Sequence, residues 1–454
     1  MDTLFSTIKH YFPSLTKYFK EVSDFRQQGK VKYSAELMIW MGIIERLSGI
    51  KSNNEFEGML NTSTEVEKNI FSLPGMSGDE LPSIDNFCYF LQFLDPEEIH
   101  KINYKMFSAL ERKKFISKLK TKDNDLLLVI DGIQTISTKR KIDHSTHKKH
   151  SNGTKTYHQY FLEAKIVSSN GFVISLDTES IENPTVEFDK QDCELRAAQR
   201  LLMRVSKKHP HLKFQILGDA LYCNSVIMDI CNQNKWKYSL TFKGETKYPK
   251  LLDEINAELN TKQRHNVDRY LLKKNEHTEL YVELRWCNDV KYDLGGNGER
   301  GINFVEGKII RIKNAIEHKI TTFTYLVDGS TTKQNALRKF MDCRNRWKIE
   351  NEGFNFQKNN ILHIGHNFSS RGHAGQNFYL LAQIAHTIIQ LACFSDIAGH
   401  VRRATTGDQD NLSQSLQGIF RSFMLIAQQI RMEFFNKVFK PPSLKTMRVR
   451  MKFA

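Results

Sequence analysis

Two uninterrupted apolar runs in this chain end in an aspartate: LLLVI runs into Asp131, and further along FQILG runs into Asp219. A short continuous apolar run bounded by polar residues reads as a buried strand. An acid directly after such a strand stands at the carboxyl edge of a sheet, where open α/β proteins build their sites. The plainer alternative for either residue is a turn-forming aspartate that opens a loop.

The segments around these runs complete an α/β order. YHQYFLEAKIVS and GFVISLDTES have strand character, KQDCELRAAQRLLMRVSKKHP reads as a helix punctuated by Pro210, and NSVIMDICNQN reads as a second helix after the Asp219 strand. Strand, strand, strand, helix, strand, helix, strand is the order of a ribonuclease-H-like domain. Residues 243–335 then alternate apolar and polar in YLLKKN, LYVELRW, KIIRIKN and TTFTYLV, which predicts an antiparallel β insertion. The GGNG of Gly295–Gly298 is too short for a phosphate loop and predicts a hairpin turn.

Helical spacing dominates both flanks, in SAELMIWMGIIERLSGI and DPEEIHKINYKMFSALERKKF before the strands and in FYLLAQIAHTIIQLACF and LQGIFRSFMLIAQQIRMEFF after them. The expected division is a helical region over 1–118, a catalytic domain over 119–242 and 336–400, the β insertion over 243–335, and a helical region with a basic tail over 401–454.

Sixty-six basic residues against 51 acidic ones leave a net charge of +15. Such an excess favours a polyanionic partner through counterion release, with solubility as the alternative reason for it. No segment has the pattern of a secretion signal or the length of a bilayer span, and the seven cysteines are scattered. The reading is a soluble protein of a reducing cytoplasm, without membrane partners.

A third acid, Glu350, lies in RNRWKIENEGFNFQKN, residues 344–359. Three carboxylates supply the oxygen ligands that hard divalent cations take. Together, VIDG at Asp131, LGDALY at Asp219 and RWKIE ending at Glu350 resemble the DDE transposases of bacterial insertion sequences, in the branch whose third acid lies in a Y-x2-R-x3-E-x6-K signature. KQDCELRAAQRL and YLLAQIAHTIIQL extend the resemblance over roughly residues 120–395.

The resemblance implies a ribonuclease-H-like catalytic domain with a β insertion before the third acid. It also implies two Mg2+ or Mn2+ ions held by Asp131, Asp219 and Glu350, and a homodimer acting on paired double-stranded DNA ends and a target. The N-terminal region would recognise the ends; packing or dimerisation is its alternative role. A metal-dependent nuclease of the same fold and a non-catalytic DNA-binding derivative are the competing functions.

Two positions depart from the signature. Cys343 stands in place of the tyrosine, and Gln357 in place of the lysine, with Lys358 one residue late. On a regular helix eight residues leave Lys358 about 80° from Glu350, whereas seven would leave about 20°. A π-bulge absorbs one residue, and Gly353 is where it is expected. Glu352 is the rival third acid, about 200° from Glu350.

Arg344, Arg346 and Lys358 are candidate phosphate contacts in this stretch. Lys139, Arg140, Lys141, Lys148 and Lys149 form another set, in a segment read as a basic loop near Asp131. His144, His147 and His150 recur every third residue there, but without a cysteine pair a solvated basic loop is preferred over a zinc site. The basic C-terminal segment KVFKPPSLKTMRVRMKFA serves either DNA contact or solvation.

Overall fold

The computed structural model describes residues 2–27, 29–61, 64–76, 78, 80–169, 171–183, 193–261, 266–274, 277–295, 298–314, 316–394 and 416–435. The centre of the GGNG turn and the basic tail lie outside them. The fold is mixed α/β, with strands in both parallel and antiparallel pairs. The chain divides into two compact units, one of residues 1–119, 132–197 and 348–454 and the other of residues 120–131 and 198–347.

The second unit begins with the first residues of β1 (Leu126–Thr138) and holds β5 (Phe214–Gly218), β6 (Lys237–Thr241), β7 (Val267–Lys274), β8 (Thr278–Tyr292), β9 (Arg300–Lys313) and β10 (Ile316–Val327). Their order is β1-β5-β6-β10-β9-β8-β7. β1, β5 and β6 run parallel, and the apolar runs of β1 and β5 are buried without alternation, as strands covered on both faces must be. β10 turns antiparallel to β6, and β9, β8 and β7 continue as a meander.

Residues 243–335 are not wholly β. They open with the helix Pro249–Thr261, because Leu251, Ile255 and Leu259 recur at helical spacing and are buried together. The helix Ala336–Arg344 lays Ala336, Phe340 and Cys343 on Val282, Leu284, Trp286, Val305 and Tyr325. Gly307 makes room for this packing, since a Cβ there would overlap the Phe340 ring.

The first unit carries the rest of β1 with β2 (Thr146–Lys149), β3 (Lys155–Val167) and β4 (Val173–Ile181), β2 and β4 both antiparallel to β3. Helices fill residues 2–112, and Ser34, Ser52, Ser83 and Asp95 cap four of them, Pro96 following the last at the first helical position. Through the centre runs the helix Ala374–Cys393, buried at every residue except Gly375. It packs against the helices Asp2–Tyr11, Ala35–Leu47, Ile84–Phe93, Pro96–Arg112 and Leu416–Phe434 and against β4. Arg431 ties the last of these down, its guanidinium donating to the carbonyls of Ser48 and Gly49 and pairing with Glu55 at 2.8 Å. None of the described helices is long and apolar enough to cross a membrane.

Candidate active site

In the second unit β1 and β5 pair in parallel, with Val129 opposite Leu217 as their last matched residues. Asp219 directly follows β5, as expected, whereas Asp131 stands inside β1: the strand expected to end there continues to Thr138, because its later residues pair on within the sheet. Continued two residues, the β1–β5 register would bring Asp131 level with Asp219. Adjacent strands lie about 4.8 Å apart, and register-matched residues leave the sheet on the same face. Asp131 is 16% exposed, and its Oδ2 lies 3.4 Å from Nη1 of Arg346. Asp219 opens a turn: its Oδ1 accepts from the Leu221 amide at 2.7 Å, and its carbonyl accepts from Tyr222. Lys247 fastens this turn, donating to the carbonyls of Ala220, Leu221 and Cys223. The turn-forming reading of Asp219 therefore holds.

Glu350 belongs to the first unit, in a segment wound as a π-helix from Ile349 to Asn355 and followed by an α-turn, Phe356–Asn359. The wide turn includes Gly353, where the one-residue surplus required it. On helical arithmetic, absorbing one residue would bring Lys358 to about 20° from Glu350 instead of about 80°. Gly353 lies in the wound stretch without a positive φ, and a Cβ there would stand 3.4 Å from Val173 on β4. Close packing against the strand is thus a structural reason for it.

The rival acids separate by environment. Glu352 is buried and pairs with Lys348 at 3.2 Å, and burial raises its pKa above the usual range. Glu350 is half-buried. Lys358 is half-buried without a hydrogen-bond or ion-pair partner among the described residues, and loss of solvent lowers its pKa. Such an ammonium is suited to an incoming anion. Gln357 is fully buried and faces the core instead. Cys343 is buried too, its thiol pushed up to about 12 by burial.

The other expected phosphate-binding residues are distributed differently. Arg344 lies over the Phe323 ring at 3.8 Å, with Nη1 buried and without a hydrogen-bond partner, so it is engaged in packing on the sheet. Lys139, Arg140, Lys141, Lys148 and Lys149 are exposed. The segment expected as a loop is partly a strand, because pairing of Thr146–Lys149 with Lys155–His158 satisfies its backbone. Its histidines go to separate partners: His144 to Glu182 at 2.8 Å and onto the His373 ring, His147 beside Tyr157, His150 to Thr156.

No family model matches this chain, and no curated protein matches it significantly. Its functional reading rests on the residues and their geometry. Among the described residues no group of three or more His, Cys, Asp and Glu side chains is assembled that could hold a metal ion. Asp131, Asp219 and Arg346 belong to one unit, in which Arg346 lies beside Asp131; Glu350 and Lys358 belong to the wound segment of the other. Sequence reasoning did not single out Glu194, whose carboxyl lies where a Cβ on Gly132 would fall, 2.6 Å from that position. Its only sequence signal is an acid at the start of the helix that follows the strands.

Proposed function

We propose that this protein is a DDE-type DNA transposase with a ribonuclease-H-like catalytic domain, cleaving the ends of a mobile element and joining them to target DNA by divalent-metal-dependent phosphoryl transfer. The observation that carries this reading is the parallel pairing of β1 and β5, whose register, continued two residues past Val129 and Leu217, would bring Asp131 level with Asp219. The π-turn adds support, since the phase correction it makes is the one the spacing of Glu350 and Lys358 calls for.

Carboxylates are hard oxygen donors of the kind Mg2+ and Mn2+ take, and the resemblance assigns two such ions to Asp131, Asp219 and Glu350. When bound, the ions supply charge neutralisation at the phosphoryl group being transferred. Arg346 holds the Asp131 carboxylate in one orientation. Lys358, without an ion-pair partner among the described residues, offers a cation to a backbone phosphate, and the exposed basic residues of the β2 hairpin add electrostatic grip. The partners are double-stranded DNA at the element ends and target, with a homodimer on the paired ends. The compartment this requires is the cytoplasm of a bacterial-type cell, with the protein on the nucleoid when bound.

Incubation with DNA carrying the repeats that flank the protein's own locus, in Mg2+ or Mn2+, tests the reading. End cleavage followed by strand-joined product is expected. Cleavage without joining would make the protein a nuclease of the same fold, and binding without either would make it a non-catalytic DNA-binding protein.

A further inference from the structure

Behind the wound segment, within the first unit, lies a polar cluster that the proposed chemistry does not use. Lys165 on β3 has no solvent exposure. Its ammonium donates to Gln383 Oε1 at 2.7 Å and to Gln357 Oε1 at 3.3 Å, and lies 3.7 Å from Glu163 Oε2 and 5.2 Å over the Phe354 ring. Gln357 Nε2 donates to Gln383 Oε1 at 2.8 Å, and the Ser175 and Thr178 hydroxyls donate to the two oxygens of Glu163, each at 2.7 Å. An ammonium withdrawn from water is tolerated only where acceptors take its protons and an opposite charge stands near. All of those partners are present here.

The cluster ties three elements together. Lys165 and Glu163 are on β3, Gln383 is on the buried helix Ala374–Cys393, and Gln357 follows the π-helical stretch directly, with Phe354 inside it. A π-turn is rare because the α-helix is the better-bonded alternative, so something outside the helix has to hold it. Relaxing the segment to a regular helix would rotate Gln357 by about 100°. That rotation would pull its carboxamide from both partners and leave a buried ammonium short of an acceptor.

We propose that Lys165 and Gln357 are positioning residues: the buried ammonium–amide knot they form with Gln383 and Glu163 holds the wide turn open, and through it sets the directions of Glu350 and Lys358. The assignment of roles to Glu350 and Lys358 rests on the function proposed above. The holding of the turn does not.

The test compares Gln357→Leu, Gln357→Glu and the double variant Lys165→Met/Gln357→Met in the full chain. Readouts are melting temperature, amide hydrogen exchange in 349–358, DNA affinity, and end cleavage as a function of Mg2+. Without Lys165 the buried Glu163 carboxylate keeps only hydroxyl donors from Ser175 and Thr178, so the double variant melts below the wild type. Measured well below that melting point, its exchange in 349–358 rises about tenfold while that of 374–393 is unchanged. Its kcat for cleavage falls on the order of 10²-fold, with more Mg2+ needed for half-maximal rate and DNA affinity kept. Gln357→Glu, which preserves an acceptor for Lys165, retains most of the activity.

A stable double variant with wild-type exchange in 349–358, or with wild-type kcat and Mg2+ dependence, overturns the proposal. If the double variant does not fold, Gln357→Leu decides: exchange raised only in 349–358 supports the knot, and exchange raised throughout the unit overturns it. If the wild type cleaves no DNA under any condition, the proposed function fails, and the exchange measurement still decides whether the knot holds the turn.

Discussion

The sheet pair Asp131 and Asp219 and the wound segment around Glu350 and Lys358 place their carboxylates by opposite means. The pair needs no distortion: Asp131 continues β1 and Asp219 follows β5, two buried strands in parallel register. The segment departs from regular winding over Ile349–Asn355 and is held against β3, β4 and the buried helix through Lys165, Gly353 and Gln383. The difference teaches that an acid on or just past a strand inherits its position from the sheet, whereas a helical acid at the wrong phase needs neighbours that enforce a rarer winding.

The comparison breaks first at the carboxylates. Asp131→Asn and Asp219→Asn should each lower end cleavage by roughly 10³-fold or more while DNA affinity in gel shifts stays within a few-fold. Comparable loss of binding would return both residues to structural roles. Glu350→Gln should match them, and Glu352→Gln should not; the reverse order would move the third acid to Glu352.

Charge separates the two regions next. They contribute single cations, Arg346 and Lys358, whereas the β2 hairpin and the residues before it expose five. Neutralising Lys139, Arg140, Lys141, Lys148 and Lys149 should flatten the slope of log K against log salt by as much as ~0.9 for each DNA phosphate left without its cation, and Lys358→Ala should flatten it by ~0.9 at most. An unchanged slope in the fivefold variant would put the DNA elsewhere.

Two glycines then sharpen the contrast. Gly307→Ala forces Phe340 to move in a packed core and should cost about 1–3 kcal/mol, read as a lower denaturation midpoint. Gly353→Ala meets only Val173 at 3.4 Å in a helical conformation and should change stability by less than ~1 kcal/mol. A large loss at Gly353 would mean that the wide turn cannot tolerate a side chain at all.

The smallest effect is a pH dependence at His144. Glu182 accepts its hydrogen bond and raises its pKa above 6.5 in the folded protein. The pair therefore contributes fully below pH 6.5, and the contribution is lost as pH rises through the folded value. The half-exposed site limits this to about 0.5 kcal/mol. His144→Gln should remove that slope from stability measured between pH 5 and 8, and an identical slope in the variant would assign it to another group.

Much of this was legible in the residues alone. Buried strands announce themselves as unbroken apolar runs, so FQILG placed Asp219 just past a strand without a structure; LLLVI likewise marked a buried strand, but that strand continues through Asp131 to Thr138 because strand pairing further along holds the polar residues that follow. Arithmetic on helical phase likewise pointed to a wide turn at Gly353, because one surplus residue has to be absorbed somewhere between Glu350 and Lys358. Local patterns failed where two readings fit one segment. LLDEINAEL became a helix inside an expected β insertion, and THKK became a strand inside an expected loop, since a partner strand or an apolar face elsewhere in the chain decided each case.

Tertiary structure alone decided what lies behind the local pattern. Lys165, Gln357 and Gln383 are far apart in the chain, and no spacing rule links a strand lysine to two glutamines on different helices. Burial separated Glu352 from Glu350, and a ring on β10 claimed Arg344. Spacing along the chain sets the direction of a side chain within its own element, while solvent, partners and charge state depend on what the rest of the fold packs against it.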